Sequence, residues 1–241
     1  MKNKKMVLWV ALIVMAVIPT YAQQYNDEND FKVKVIEGGK GVEISEYIGT
    51  RKEVSIPPNI QNNPVTSIGK WAFQDNSDIT SVTIPDSVTN IESYAFYRCT
   101  SLARVTIGKG VTSIGNSVFA ACGLTSITIP NNVTIIEYQA FFGCGRLTSV
   151  TIPNSVTRIE EAAFQACRGI TSVTIGNGVT SIGEAAFDGS DSLARVTFQR
   201  ADTTIGNASF PRASSLRTAY SSGKAGTYTR AANGTTWTKQ N

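Results

Sequence analysis

Residues 102–121 read L-A-R-V-T-I-G-K-G-V-T-S-I-G-N-S-V-F-A-A, and this pattern returns along most of the 241-residue chain. Its phenylalanine recurs at spacings of 23, 23, 22, 23, 23 and 23 residues, at Phe73, Phe96, Phe119, Phe141, Phe164, Phe187 and Phe210. An aliphatic residue keeps the same period at Ile79, Leu102, Leu124, Leu147, Ile170, Leu193 and Leu216. A fixed period of about 20 to 29 residues is typical of a solenoid, in which each repeat is one coil stacked on the next.

Each coil is predicted to contain a short strand, a turn, a second apolar segment and a single helical turn. Val105 and Ile107 alternate with Thr106, which indicates a strand with one buried face. The glycines of residues 108–110 indicate the turn that follows. The stretch around Val118 is predicted to form one helical turn, which is too short to be stable alone. The fold class is therefore a solenoid of about seven coils of 22–23 residues.

The two ends of the chain depart from the repeat and are predicted to be β-hairpins that cap the stack. Residues 31–53 are assigned to an N-terminal cap, because Phe31–Tyr47 alternates apolar and polar residues around a Gly-Gly turn. Residues 221–241 are assigned to a C-terminal cap, with strand-like segments on either side of Asn233-Gly234. The repeat region is predicted over residues 54–220, and residues 23–30 are predicted to be flexible.

Residues 1–22 have the features of a secretory signal peptide. Lys2, Lys4 and Lys5 precede an apolar stretch, and the segment ends in the small residue Ala22. No cysteine follows directly and no second hydrophobic stretch occurs, so we expect export without a membrane span in the mature protein. The segment holds three lysines and no acid, so 22 basic side chains become 19 against 18 acidic ones. Nucleic acid is therefore not an expected partner.

Residues 147–167 read L-T-S-V-T-I-P-N-S-V-T-R-I-E-E-A-A-F-Q-A-C. This resembles the BspA-like, or treponemal-type, leucine-rich repeat, whose pattern is close to L-x-x-[VI]-x-I-P-x-x-V-x-x-I-G-x-x-A-F-x-x-C. The resemblance covers about residues 54–220 and departs most in the last coil, at Asp202 and Ala213. It implies a surface or secreted protein that binds host matrix proteins, host cells or other bacteria. No set of binding residues is shared across the family, so none can be transferred to this chain.

The four cysteines, Cys99, Cys122, Cys144 and Cys167, each follow the repeat phenylalanine by three residues. This spacing predicts a structural ladder of small side chains that face the core in successive coils. Reduced thiols are the favoured state, and a disulfide between adjacent coils or a metal site are the alternatives. A linear ladder does not offer the tetrahedral convergence that zinc needs.

Aromatic residues outside the core pattern are candidates for ligand binding: Trp71, Tyr94, Tyr97, Tyr138 and Phe142. Trp71 and Tyr94 both lie two residues before the repeat phenylalanine, so they are predicted to be neighbours on adjacent coils. Exposed aromatic side chains suit contacts with protein or sugar. Packing between neighbouring coils explains these residues equally well.

A ladder of polar residues flanks the inward-facing residue of each predicted strand. It consists mostly of serine and threonine, with Arg104 and Arg195 at one position of two coils. Strand propensity on a solvated face is sufficient to explain the ladder. The functional alternative is a hydroxyl-rich surface for protein or glycan, with the two arginines as candidate ligand-binding residues.

The sequence contains no set of residues that indicates a catalytic site. The chain has no histidine, which removes the usual general base and the commonest metal ligand. No glycine-rich phosphate loop and no calcium-binding repeat is present, so no cofactor is expected. The prediction is a protein that is not an enzyme.

The sequence thus predicts a non-enzymatic, adhesin-like binding protein that is exported and is secreted or held at the cell surface. Its expected partner is a host matrix or cell-surface protein, or a bacterial surface protein. One alternative is a structural interaction protein of the periplasm or envelope. Another is a glycan-binding module.

Overall fold

The computed structural model describes residues 25–231 and 234–240, and most of its regular structure consists of short strands. The signal peptide predicted at residues 1–22 lies outside the described residues. The first nine strands are β1 (Phe31–Val35), β2 (Val42–Tyr47), β3 (Glu53–Ser55), β4 (Asn59–Ile60), β5 (Asn63–Ile68), β6 (Ser81–Thr83), β7 (Asn90–Ile91), β8 (Arg104–Thr106) and β9 (Ser113–Ile114). The next seven are β10 (Ile135–Ile136), β11 (Ser149–Ile152), β12 (Arg158–Ile159), β13 (Ser172–Ile175), β14 (Ser181–Ile182), β15 (Arg195–Phe198) and β16 (Thr204–Ile205). Helix α1 (Ala213–Gly223), β17 (Gly226–Thr229) and β18 (Thr238–Lys239) follow, and a 3₁₀ helix spans Glu28–Asp30.

The strands of successive coils stack in two parallel columns, which confirms the solenoid. In the first column β3, β6 and β8 form one sheet, and β11, β13 and β15 belong to another. In the second column β9, β10, β12, β14 and β16 form a continuous sheet. Pairing joins equivalent residues one period apart, as where Val150 lies opposite Val173 and Val173 opposite Val196. These valines are buried, as the alternating pattern predicts.

Both columns contain an interruption. The first is broken at Ser126–Ile129, which occupies a strand position but forms no strand, so β8 and β11 belong to different sheets. The second is broken between β7 and β9, which pair with their other neighbours and not with each other. Within the described part of the repeat, Ser126–Ile129 is the one strand position that pairs with neither the strand before it nor the strand after it.

A continuous stack of aromatic rings runs through the core. Tyr47 and the seven repeat phenylalanines follow one another with ring centroids 4.7 to 5.6 Å apart and interplanar angles of 1° to 21°. Aromatic pairs at this separation are stabilised beyond the area that they bury. Each stacked pair joins one coil to the next, so the stack makes neighbouring coils interdependent.

The segment around each phenylalanine is a series of turns and not the single helical turn that the sequence predicts. In the coil of Phe96, Tyr97 N–H donates to the Tyr94 carbonyl at 3.0 Å and Cys99 N–H to the Phe96 carbonyl at 3.2 Å. Tyr94 and Arg98 have left-handed backbone, with φ of 64° and 59°, which interrupts a right-handed helix on both sides. The left-handed conformation recurs, with φ of 50° to 64°, two residues before every repeat phenylalanine, at Trp71, Tyr94, Ser117, Gln139, Ala162, Ala185 and Ala208.

The turns of successive coils are joined by a ladder of backbone hydrogen bonds. Phe96 N–H donates to the Val118 carbonyl at 3.0 Å, and Arg98 N–H donates to the Ala120 carbonyl at 2.9 Å. Equivalent bonds recur in later coils, for example from Phe164 N–H to Ala186 at 2.7 Å. The backbone of the turn segments is therefore held as regularly as that of the strands.

At the N-terminus β1 pairs antiparallel with β2, as the alternating sequence predicts, and β2 pairs parallel with β5 of the first coil. Phe31 contacts Tyr47, with ring centroids 5.5 Å apart, so this pair of strands extends the aromatic stack. Within the segment predicted to be flexible, Asn26 is buried and its amide oxygen accepts a bond from Ser55 N–H at 2.9 Å. These contacts attach residue 26 to the first coil.

The C-terminal end differs from its prediction. Residues 213–220 were expected to continue the repeat, but they belong to helix α1. Leu216 and Tyr220 lie one helical turn apart and are both buried. Beyond the helix, β17 pairs antiparallel with β15, and β18 pairs antiparallel with β17. No helix in the two described ranges is long and apolar enough to cross a membrane. A capping role for either end remains a prediction.

Candidate functional site

Trp71 is the most exposed aromatic residue among the predicted binding residues. It lies on the turn of the first phenylalanine-containing coil, and 53% of its surface is exposed. The ammonium group of Lys70 lies 4.1 Å from the centroid of its ring, within the range of a cation–π interaction. An indole held open to solvent on a rigid turn is suited to contact a partner.

The other predicted aromatic residues of this region are less exposed. Tyr94 and Tyr97 are half-buried, and their rings meet edge to face with centroids 5.7 Å apart. Trp71 and Tyr94 lie on adjacent coils, as predicted, but among the described residues no ring contact joins them. Phe142, on a later coil, is also half-buried. The structure therefore brings together Tyr94 and Tyr97 and leaves Trp71 as a separate exposed group.

Tyr138 lies in a different setting, beside acidic side chains that the repeat pattern does not single out. Its side chain is 42% exposed and lines a shallow groove of about 400 Å³ together with Glu137, Glu160 and Glu161. The sequence contains a sign of this acidic site. Glu137 and Glu160 occupy the same position in adjacent coils, directly after Ile136 and Ile159. Glu160 is paired with Arg158, whose Nε lies 2.9 Å from its carboxylate, so the negative character of this part of the turn face comes from Glu137 and Glu161. It would favour a partner with basic groups.

The fold does not require an aromatic residue at the positions of Trp71 and Tyr94. The equivalent left-handed position holds Ala162, Ala185 and Ala208 in later coils. Because alanine occupies the same backbone conformation elsewhere in this chain, an aromatic side chain is not needed to form the turn. Packing inside the repeat is therefore a weak explanation for Trp71.

The two arginines proposed for the sheet face lie far apart. Arg104 begins β8 and Arg195 begins β15, so they belong to two different sheets. Both are exposed, and neither forms an ion pair with another described residue. Ser149, Ser172 and Arg195 lie in register on neighbouring strands, so the predicted polar ladder exists there.

The four cysteines form a regular series of contacts between coils. Each buried thiol donates from Sγ to the carbonyl of the phenylalanine in the preceding coil, at 3.0 or 3.1 Å. Ser190 Oγ makes the equivalent contact with the Phe164 carbonyl at 3.3 Å. All four thiols are free, and among the described residues no group of three or more acidic, cysteine or histidine side chains could hold a metal ion.

Burial raises the pKa of the Cys144 thiol to about 12, and it raises those of Cys122 and Cys167 well above their usual value. A thiol that stays protonated is neither a nucleophile nor a ready metal ligand. The ladder is thus suited to a structural role, in which each thiol is a compact donor to the coil before it.

We expect the alkaline stability of the protein to depend on this ladder. The folded-state pKa of Cys144 lies above that of the unfolded chain, so its contribution is complete below about pH 8.5 and is lost as the pH rises toward 12. The free energy of unfolding should fall by about 1.4 kcal/mol for each pH unit in that window for this thiol. Urea unfolding between pH 8 and 11 measures the slope. The Cys144→Ala variant should show a shallower slope, and an unchanged slope would contradict the assignment.

Comparisons with known proteins agree with the repeat architecture. The family model described as the BspA type leucine rich repeat region matches the chain in six copies, over residues 50–148 and 134–229. The resemblance drawn from the residues is thereby confirmed. None of the proteins with curated descriptions matches the chain in sequence.

Two solved structures are similar in both fold and sequence. A leucine-rich repeat protein from T. pallidum has a TM-score of 0.72 and 28% identity, over 76% of this chain and 86% of that chain. A leucine-rich cell surface protein from Faecalibacterium prausnitzii has a TM-score of 0.55 and 29% identity, over 87% of this chain and 59% of that chain. This chain therefore spans only part of the second protein.

Proposed function

Because the chain belongs to the BspA-type leucine-rich repeat family, we propose that it is a non-enzymatic binding protein exported to the cell surface or secreted, where it acts as an adhesin. The similar protein from F. prausnitzii is described as a cell surface protein, which supports this location. A stacked repeat offers a rigid extended surface, so little conformational entropy is lost on association. The proposed partner is a host matrix or cell-surface protein, or a protein of another bacterium.

The observation that carries this proposal is the exposure of Trp71 on a turn that does not require tryptophan. Exposed aromatic side chains are enriched at the centres of protein interfaces, where they supply large contact area at low entropic cost. The Tyr94–Tyr97 pair on the next coil extends the aromatic surface, and Tyr138 adds a phenol beside carboxylates three coils from Trp71. Arg104 and Arg195 are two separate candidate contact points on the strand face.

Location is tested by treating intact and permeabilised cells with protease and following the protein by immunoblot. Cleavage on intact cells, or full-length protein in the medium, is the result expected of an adhesin. Protection until the envelope is permeabilised would overturn the proposal and favour the periplasmic alternative.

The binding surface is tested with the double variant Trp71→Ala and Tyr94→Ala, measured against immobilised host matrix proteins to which the wild-type protein binds. We expect affinity to fall at least about thirtyfold, because even one aromatic residue at an interface centre contributes about 2 kcal/mol or more. The melting temperature should change little, since alanine already occupies this backbone position in three later coils.

The matched comparison is the double variant Arg104→Ser and Arg195→Ser, which alters the strand face and leaves the turns intact. If this variant loses affinity and the aromatic variant does not, the binding surface lies on the strands. Unchanged affinity in the aromatic variant would by itself contradict a role for Trp71.

A further inference from the structure

The interruption of the first strand column at Ser126–Ile129 leaves backbone groups without partners. This stretch is here called the split segment, and it lies between β8 and β11. In an intact coil, Ala103 N–H donates to the Thr80 carbonyl and Ile84 N–H donates to the Thr106 carbonyl, both at 2.9 Å. At the split, Thr125 N–H still donates to the Ala103 carbonyl at 3.1 Å, but residues 126–129 form no backbone hydrogen bond with any other described residue.

The sequence differs from the repeat immediately before the split segment. A single residue, Gly123, joins Cys122 to Leu124, whereas two residues stand between Cys144 and Leu147 in the next coil. A Cβ atom on Gly123 would overlap the Thr100 carbonyl oxygen, so this position requires glycine, as several other glycines of the stack do. This missing residue is the source of the single 22-residue spacing among the phenylalanines, and we infer that it draws the following strand out of alignment with its neighbours.

A groove opens on each side of the split segment. The larger one, of about 810 Å³, lies between residues 126–131 and 149–155. The smaller one, of about 590 Å³, lies between residues 105–109 and 128–132. One wall of the larger groove is the edge of β11, which pairs with β13 on its other side only. The larger groove therefore separates two strand edges that would be hydrogen-bonded to each other in an intact coil.

The chemistry of the larger groove is neutral and hydrogen-bonding. None of its lining side chains is charged, and most are hydroxyl or amide groups, including Ser126, Thr128, Asn131, Ser149, Thr151 and Asn154. No aromatic residue lines it. A sugar ligand usually requires an aromatic side chain to stack on, and a charged ligand requires an opposite charge. The groove is lined by neither. The unpaired backbone groups instead match those of an extended polypeptide.

We propose that the larger groove binds an extended, uncharged polypeptide segment of a partner protein by main-chain hydrogen bonds. The segment adds as a strand to the edge of β11 or to the split segment, in the manner of β-strand addition. Its alternate side chains face the serine and threonine hydroxyls, so a segment that alternates β-branched and small polar residues fits best. This surface is distinct from the aromatic turns, and the inference does not rest on the proposed adhesion function.

The test uses a fluorescent, end-blocked peptide with the sequence of residues 147–155, L-T-S-V-T-I-P-N-S, which carries the chain's own repeat strand and no charge. We expect saturable binding to the wild-type protein by fluorescence anisotropy. A peptide of the same sequence with alternate backbone nitrogens methylated should bind at least about tenfold more weakly, because it cannot complete the main-chain bonds. Equal binding of the methylated peptide, or no binding of the parent, would overturn the proposal.

A repair variant tests the position of the site. Inserting one serine between Gly123 and Leu124 gives Cys-Gly-Ser-Leu, which matches the Cys-Gly-Arg-Leu of residues 144–147. We expect the insertion to restore the strand, raise the melting temperature and weaken peptide binding at least about tenfold. Unchanged peptide binding in a folded insertion variant would show that the split segment is not the site.

A pair of matched point variants keeps the proposal testable if the insertion fails to fold. Thr128→Lys places a charge in the groove, and Thr174→Lys makes the same change at the equivalent position of β13, which is paired on both sides. Only Thr128→Lys should weaken peptide binding. Equal effects would contradict the assignment, and binding of neutral oligosaccharides with no response to the peptide would replace it with a glycan site. No matrix protein enters these measurements, so their failure leaves the adhesion proposal standing.

Discussion

Replacing Phe141 with alanine is expected to lower the free energy of unfolding by about 4 kcal/mol, the range found for truncating a buried phenylalanine. Its ring is fully buried, with centroids 5.6 Å from Phe119 and 4.9 Å from Phe164. The substitution opens a cavity in the middle of the aromatic stack and removes two ring contacts together. Urea unfolding followed by circular dichroism measures the loss.

The neighbouring residue provides the control. Phe142 lies on the same turn but is half-buried, and no ring contact involves it among the described residues. Phe142→Ala should cost about 1 kcal/mol or less. If the two substitutions prove equally destabilising, the continuous stack is not what holds adjacent coils together.

Trp237→Ala should be nearly as damaging, with an expected loss of about 3 to 5 kcal/mol. The indole is 2% exposed, and its Nε1–H donates to the Pro211 carbonyl at 3.0 Å. The Arg230 guanidinium carbon lies 5.6 Å from the ring centroid, so the side chain joins the C-terminal strands to the last coil. Because a stacked repeat leaves its last apolar face open unless something covers it, removing this anchor should favour unfolding from that end.

Trp237→Phe separates packing from hydrogen bonding at this position. It keeps an apolar ring and loses the Nε1–H bond, so we expect a cost of about 1 to 2 kcal/mol. Thermal unfolding of the two variants should rank them in that order. A loss below about 1 kcal/mol for Trp237→Ala would show that the C-terminal segment does not act as the predicted cap.

The repeat architecture could be predicted because the contacts within it are periodic. Val150 pairs with Val173 and Phe141 contacts Phe164, and both pairs are one repeat apart in the sequence. A residue's contact partner is therefore the equivalent residue of the adjacent coil, so the repeat period is enough to identify that partner. The alternation of valine and threonine then fixes which side chains face the core.

Helix α1 could not be predicted in the same way. Leu216 continues the aliphatic period, so it was assigned to another coil, although Tyr220 four residues later has the spacing of a helix face. Arg212, at the start of the helix, provides no side-chain capping bond. Several hydroxyl groups instead bond to carbonyls one turn earlier, as Ser221 does to Arg217. Such a helix is formed by its packing against the last coil more than by local signals.

For the candidate sites, the sequence predicts which coil carries each residue but not the direction in which its side chain points. The sequence placed Trp71 and Tyr94 on adjacent turns, but the direction of each ring depends on the left-handed backbone and on neighbours such as Lys70. The single 22-residue spacing was visible in the sequence. Its effect on the hydrogen bonds of residues 126–129 required the geometry of both neighbouring coils.

The stacked turns also place side chains of different coils at regular, fixed spacings along the molecule. Trp71 and Tyr138 lie on turns three coils apart, a separation of roughly 15 Å at the usual spacing between strands. Each coil bonds only to the coils beside it, so adding or deleting one would move the two groups apart or together by about 4.8 Å and leave each turn unchanged. The distance between two contact points can thus be altered in fixed steps by changing the number of repeats, without redesigning either point.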